Sequence, residues 1–247
     1  MIPQVDERLI YKHTFKLSKV AKDGNPSLEE VLDAFQQAAV PHAEELGFGN
    51  TFLTANDLLF VICRMELTFK KPFKAGETYT VLTCPLYPSA IQVYRVAFFY
   101  DSNNEEVASL NSLWVLVNRK TKRITPMRPV INICEPYKND MKKIEETFYQ
   151  KLPALDVSVS KDSQPISYTV TDKDIDFNGH MNNAVYARIL DSIQVNKPIS
   201  TFTINFEKEC LLGETLFTYQ TDSDDCTEVA GYKSDGDLSY KAKITYR

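Results

Sequence analysis

The sequence predicts an α+β fold built twice, with an antiparallel sheet set against one helix in each half of the chain. Three observations carry that prediction. A long amphipathic helix pattern near the N-terminus is followed by a run of strand-sized segments rich in β-branched and aromatic residues. The second half repeats that order in shorter form. Finally, two groups of six residues match at a single offset: Leu67-Thr68-Phe69 with Gly76-Glu77-Thr78, and Ile204-Asn205-Phe206 with Gly213-Glu214-Thr215. A shared turn at the same place after a helix is the mark of a duplication.

In the first half, Tyr11 to Val20 reads as a strand. Asp23-Gly24-Asn25-Pro26-Ser27 punctuates it, and Ser27 with Glu30 three residues later predicts a helix start with a capping box. Leu28, Val31, Leu32, Phe35 and Ala39 form one apolar stripe that ends near Gly47. Strands are expected at 58–69, 78–85, 91–100 and 107–118, separated by Ala75-Gly76-Glu77, Pro88-Ser89 and Asp101-Ser102-Asn103-Asn104. Prolines then break the pattern between Pro126 and Pro136, and a charged helix is expected over 138–152. This divides the chain into a first domain at 1–132, a connector at 133–165 and a second domain at 166–247. In the second domain, a strand at 166–170 and a helix at 180–193 precede strands at 201–206, 214–221, 226–233 and 238–246.

The 247 residues are 43% hydrophobic and 25% charged, which is ordinary for a globular protein. A net charge of -5 argues against nucleic-acid binding, which depends on neutralising phosphates. The N-terminus lacks the pattern of a signal peptide, and no run approaches the ~20 apolar residues of a membrane span, so no stable membrane insertion is expected. Five scattered cysteines without a CxxC pair point away from disulfides and zinc and towards a reducing cytoplasm. With only three histidines there is no recognisable metal-ligand set, and no cofactor is expected.

Chemistry concentrates in Asp174-Ile175-Asp176-Phe177-Asn178-Gly179-His180-Met181-Asn182-Asn183. Two of these polar residues would suffice to cap a helix, yet six are present. Gly179 would let the backbone approach a substrate closely. N–H groups at the helix start would suit a developing oxyanion.

Residues 176–186 resemble the active-site segment of plant and bacterial acyl-ACP thioesterases, a D-x-N-x-H-V-N-N-x-x-Y pattern, with Met181 at the usual Val. The Glu-Cys pair of the family's second motif is present as Glu209-Cys210. The resemblance implies two tandem hotdog domains, with Asp176, Asn178, His180 and Glu209 as the catalytic set and Cys210 nearby. It also implies hydrolysis of an acyl-ACP thioester to free fatty acid and holo-ACP, with acyl carrier protein as partner and the first half holding the acyl chain. The helix after Tyr186 lacks the expected Trp, which leaves chain-length preference open. Other readings are an acyl-CoA thioesterase on the same fold and a non-catalytic acyl-binding protein, as a monomer or a homodimer.

Alternation along a strand places Cys210 with Phe202, Ile204 and Phe206 on an apolar face, and Glu209 with Thr203 and Asn205 on a polar one. Glu209 is therefore the preferred general base and Cys210 a buried neighbour, while a cysteine nucleophile is the competing reading. An acidic carrier needs a local basic patch on an acidic enzyme. The run 119–123 supplies the densest one, with Lys122, Arg123 and Arg128 as docking candidates. His13 and His42 read as structural, and Pro72 stands at the repeat position of Glu209.

Overall fold

The computed structural model describes residues 2–20, 25–162, 164–176, 178–193 and 197–247. Asp23 and Gly24 of the first turn signal and Phe177 of the motif lie outside the described residues. The elements are β1 (Tyr11–Lys16), α1 (Leu28–Glu45), α2 (Asn50–Ala55), β2 (Leu58–Phe69), β3 (Thr78–Pro85), β4 (Gln92–Tyr100), β5 (Glu106–Asn118), β6 (Ile124–Thr125), α3 (Arg128–Cys134) and α4 (Lys138–Phe148). After them come β7 (Ile166–Thr169), α5 (Asn183–Asp191), β8 (Ile199–Phe206), β9 (Thr215–Asp222), β10 (Cys226–Lys233) and β11 (Leu238–Tyr246). The chain forms two compact units: Met1–Lys16 with Ala34–Met65 and Thr78–Leu152, and Leu17–Asp33 with Glu66–Glu77 and Pro153–Arg247.

The repeat in sequence is a repeat in topology. Strands run β1-β3-β4-β5-β2 in the first copy and β7-β9-β10-β11-β8 in the second, position for position the same. The shared turn is closed identically in both. Gly76 N–H donates to Leu17 O (2.8 Å) and Leu17 N–H to Glu77 O (3.1 Å); Gly213 N–H donates to Val170 O (3.0 Å) and Val170 N–H to Glu214 O (2.9 Å). The glycines have φ of +81° and +80°, the left-handed region that costs other residues most. β1 ends at Lys16 rather than at Val20, just before the Leu17 that closes this clamp.

At the start of α1, Ser27 Oγ accepts from Glu30 N at 3.3 Å, as a capping box requires, but the reciprocal bond does not form. Ser27 N–H donates instead to Lys19 O (3.2 Å), and the Glu30 carboxylate accepts from Ser18 N (2.7 Å). Asp191 of α5 completes the cap, accepting from Leu28 N (2.8 Å), Glu29 N (3.2 Å) and Ser27 Oγ (2.7 Å). A carboxylate there satisfies orphan donors and complements the helix dipole. Burial raises its pKa above the ordinary aspartate value. The helix ends as predicted: Phe48 N–H bonds Ala43 O (3.1 Å) and Gly47 N–H bonds Glu44 O (3.0 Å), a Schellman motif with Gly47 at φ +87°.

In the first unit α1 covers one face of the sheet, with Phe35 against Trp114 at 6.5 Å between ring centres. The opposite face of β4 meets α4, where Phe98 packs on Phe148 at 4.7 Å. Both faces of β4 are thus buried, including Arg95. Arg95 Nη1 donates to His42 Nδ1 (3.1 Å) and Thr83 Oγ1 (3.3 Å). Because arginine has no acceptor, His42 Nδ1 is unprotonated and Nε2–H donates to Arg8 O at 2.8 Å. Burial, helped by Arg95, pushes the His42 pKa down to about 3.

In the second unit Tyr186 of α5 meets Phe206 and Tyr240 edge to face, each at 5.2 Å. Gly231 leaves room for the Tyr240 ring, since a Cβ there would lie 2.0 Å from it. The architecture is the α+β plan read from the sequence, an antiparallel sheet on a helix in each copy. No helix among the described residues is long and apolar enough to cross a membrane.

Candidate active site

The motif residues sit in a closed loop between Asp174 and α5. Ile175 and Met181 form a β-bridge at its neck, and Asn182 N–H donates to Asp174 O at 2.8 Å. Asp176 N–H donates to His180 O (2.8 Å), and Gly179 N–H to Asp176 O (3.0 Å). A Cβ on Gly179 would meet nothing within 4 Å, so it is the φ of +84° that calls for glycine at the tip. The Asp176 carboxylate fixes the interior, accepting from Asn178 N (2.8 Å), His180 N (3.3 Å) and Asn178 Nδ2 (3.4 Å).

The loop delivers the imidazole to Glu209: His180 Nε2 lies 3.0 Å from Glu209 Oε2. The His180 side chain is 16% exposed and the Glu209 side chain 49%, so the pair stands at the surface with the carboxylate outermost. Four of the catalytic candidates are therefore linked in one chain of contacts, from Asn178 through Asp176 to His180 and Glu209.

Cys210 points elsewhere. Its thiol is buried, 3.3 Å from Ser239 Oγ, which donates in turn to Lys208 O at 2.8 Å. Burial raises the thiol pKa, which disfavours the thiolate a nucleophile requires. Strand alternation predicted the right partition for the wrong reason. β8 ends at Phe206, and residues 207–210 are irregular, held by Glu207 N–H and Lys208 N–H donating to Ser239 O (2.8 and 3.1 Å).

Four of the helix-start N–H groups considered for an oxyanion are engaged within the protein. His180 N–H goes to Asp176, Met181 N–H to Cys210 O (2.9 Å), Asn182 N–H to Asp174 O, and Ala184 N–H to Asn182 Oδ1 (2.9 Å). The cause is the start of α5 at Asn183 rather than at His180, with Asn182 as its cap.

Family models match both halves of the chain. A model of the acyl-ACP thioesterase N-terminal domain matches residues 8–137, and one of the C-terminal domain matches 158–247. The chain belongs to the acyl-ACP thioesterase family. A palmitoyl-acyl carrier protein thioesterase of Cuphea hookeriana, a chloroplastic protein, is 27% identical over 221 residues, 83% of this chain and 53% of its own length. The chain therefore spans about half the length of such plant relatives. Two solved thioesterases share the fold. The 12:0-ACP enzyme of Umbellularia californica superposes with a TM-score of 0.79 at 23% identity over 97% of each chain. An acyl-ACP thioesterase of Bacteroides thetaiotaomicron gives 0.79 at 20%, over 98% of this chain and 99% of that one.

Within this member of the family, the basic run has two parts. Arg119 Nε donates to Leu58 O (2.8 Å) and Lys120 pairs with Asp57 (2.6 Å), so both hold the β5–β6 turn. Lys122 and Arg123 are exposed at its tip, Arg128 is exposed at the first residue of α3, and Ile124 beside them is 61% exposed. No group of three or more His, Cys, Asp or Glu side chains suited to a metal occurs among the described residues.

The sequence reading did not single out Arg188, Asp191 or Ser239. The first two lie on the helix after the motif, at positions where pattern reading sees only a polar face. Ser239 is remote in sequence and meets Cys210 only through the β8–β11 pairing.

Proposed function

We propose that this chain hydrolyses acyl-ACP thioesters to free fatty acid and holo-ACP. The His180–Glu209 contact of 3.0 Å carries the reading, because it joins a proton-transfer group to a carboxylate beside an anchored asparagine. Glu209 removes a proton from a water, whose oxygen bonds to the thioester carbonyl carbon. The Asn178 amide orients the carbonyl, and the tetrahedral intermediate collapses with cleavage of the C–S bond. His180 relays the proton from Glu209 to the departing sulfur, giving a carboxylic acid and a thiol. Asp176 holds the loop in shape.

The second half carries the chemistry and the first holds the acyl chain, a division supported by the loop's presence in one copy only and by Pro72 at the repeat position of Glu209. Lys122, Arg123 and Arg128, with the exposed Ile124 among them, form the docking surface for the acidic carrier. The free cysteines fit a reducing compartment such as the cytoplasm. A hydrolysis panel of acyl chain lengths on acyl carrier protein and on coenzyme A tests the reading. Faster turnover on the carrier protein supports it; equal or faster turnover on coenzyme A replaces it with the acyl-CoA reading.

A further inference from the structure

We propose that Arg188 is a positioning residue for the reaction, acting through Asp174 on the loop that carries His180. This rests on the assignment of His180 and Glu209 to the chemistry.

Asp174 is the residue on which both ends of the loop converge. Its side chain is 1% exposed, and its carboxylate accepts from Thr171 N (2.8 Å) and Thr171 Oγ1 (2.7 Å). Its carbonyl accepts the N–H of Asn182 from the far side of the neck (2.8 Å). A buried carboxylate needs a counter-charge, and Arg188 brings one from α5 with Nη1 at 2.9 Å from Asp174 Oδ1. The Asp174 pKa stays below the usual aspartate value although burial, the largest influence, pushes it up; hydrogen bonds from Thr171 are the largest of the opposing influences.

The same guanidinium makes three more contacts, to two atoms. Nη1 lies 3.2 Å from the Tyr168 hydroxyl, and Nε and Nη2 lie 2.8 and 2.6 Å from Glu29 Oε1 near the start of α1. Arg188 is thus a fork with one tine on the loop neck and two on the helix start. The planar spread of donors makes this possible; a lysine ammonium is a single point that reaches one carboxylate at a time. Losing the Asp174 tine frees the neck, and the imidazole then drifts from the carboxylate. Misplacing a reacting group by ~1 Å costs about 100-fold in rate.

The test is steady-state hydrolysis of one acyl-ACP substrate by Arg188→Leu, Arg188→Lys, Glu29→Gln and Glu209→Ala in the full chain. The inference expects Arg188→Leu to lower kcat by roughly 10–100-fold with KM within about twofold. Arg188→Lys should recover at least half of that loss on a logarithmic scale and still stay about twofold or more below wild type, because a point charge holds only part of the fork. Glu29→Gln, which takes the charge from the partner of the other two tines and leaves Asp174 paired, should leave kcat near the wild-type value. An Arg188→Leu enzyme with unchanged kcat, or a Glu29→Gln loss as large as its own, overturns the inference. If Arg188→Leu does not fold, Arg188→Lys decides: lowered kcat at constant KM supports positioning, and wild-type kcat refutes it. Retained turnover in Glu209→Ala would instead sink the catalytic assignment beneath it.

Discussion

The main-chain N–H of Met181 donates to the carbonyl of Cys210 at 2.9 Å, so the residue after His180 is tied to the residue after Glu209. The two segments carrying the candidate dyad are therefore joined by backbone as well as by the 3.0 Å side-chain contact. Cys210 serves this join with its carbonyl while its thiol is buried against Ser239. These contacts favour a structural duty for Cys210 beside Glu209.

Cys210 substitutions follow from that duty. Cys210→Ser keeps a hydroxyl near Ser239, and the backbone bond to Met181 survives either change. Cys210→Ser should keep kcat within about tenfold of wild type, and Cys210→Ala should lose stability of about 1 kcal/mol before it loses chemistry. Thermal melts beside kcat measure both. A Cys210→Ser enzyme as dead as Glu209→Ala would restore the thiol as nucleophile.

Gly179→Ala puts a Cβ into open space but at φ +84°. The cost is backbone strain alone, about 1–2 kcal/mol for an L-residue in that region. The loop should relax away from its closed turn, lowering kcat while the melting temperature falls by only a few degrees. Unchanged kcat would show that the loop tip does not set the geometry of His180.

Stability should fall in mild acid because of His42. Its folded pKa is depressed to about 3, against an ordinary value near 6.5 in the unfolded chain. Above ~6.5 neither state binds the proton; below it the unfolded state does and the folded state refuses. Stability from this group is thus complete above ~6.5 and lost as pH falls towards 3, at about 1.4 kcal/mol per pH unit. Urea titrations from pH 7 to 4 should show this slope in the wild type and a reduced one in His42→Gln. Equal slopes would contradict a neutral buried His42.

Charge reversal at Lys122 and Arg123 addresses the docking surface. The double change to Glu should raise KM for acyl-ACP about tenfold or more, an effect that shrinks with salt, and leave small acyl thioesters unaffected. An equal effect on both substrates would place the carrier elsewhere.

Much of the fold was legible in the sequence because duplication made each half a check on the other. Gly76-Glu77 and Gly213-Glu214 fix the same clamp in both copies, and the strands over 58–69, 78–85, 226–233 and 238–246 fall where their apolar alternation ends. The capping box at Ser27 failed through partners outside its own four residues. Glu30 left its capping box because Lys19 took the Ser27 N–H, and Asp191, 164 residues away, replaced it. At the site, the loop and Glu209 were legible as motifs. The Arg188 fork and the Ser239 anchor were not, since neither has a local pattern.

The central claim is that Glu209, paired with His180, activates the water. The most direct test is single-turnover hydrolysis of an acyl-ACP by Glu209→Ala, set against Cys210→Ala. The expected result is a loss of about a thousandfold or more in the first and a small loss in the second. A near-normal rate in Glu209→Ala, with Cys210→Ala inactive but folded, would contradict it.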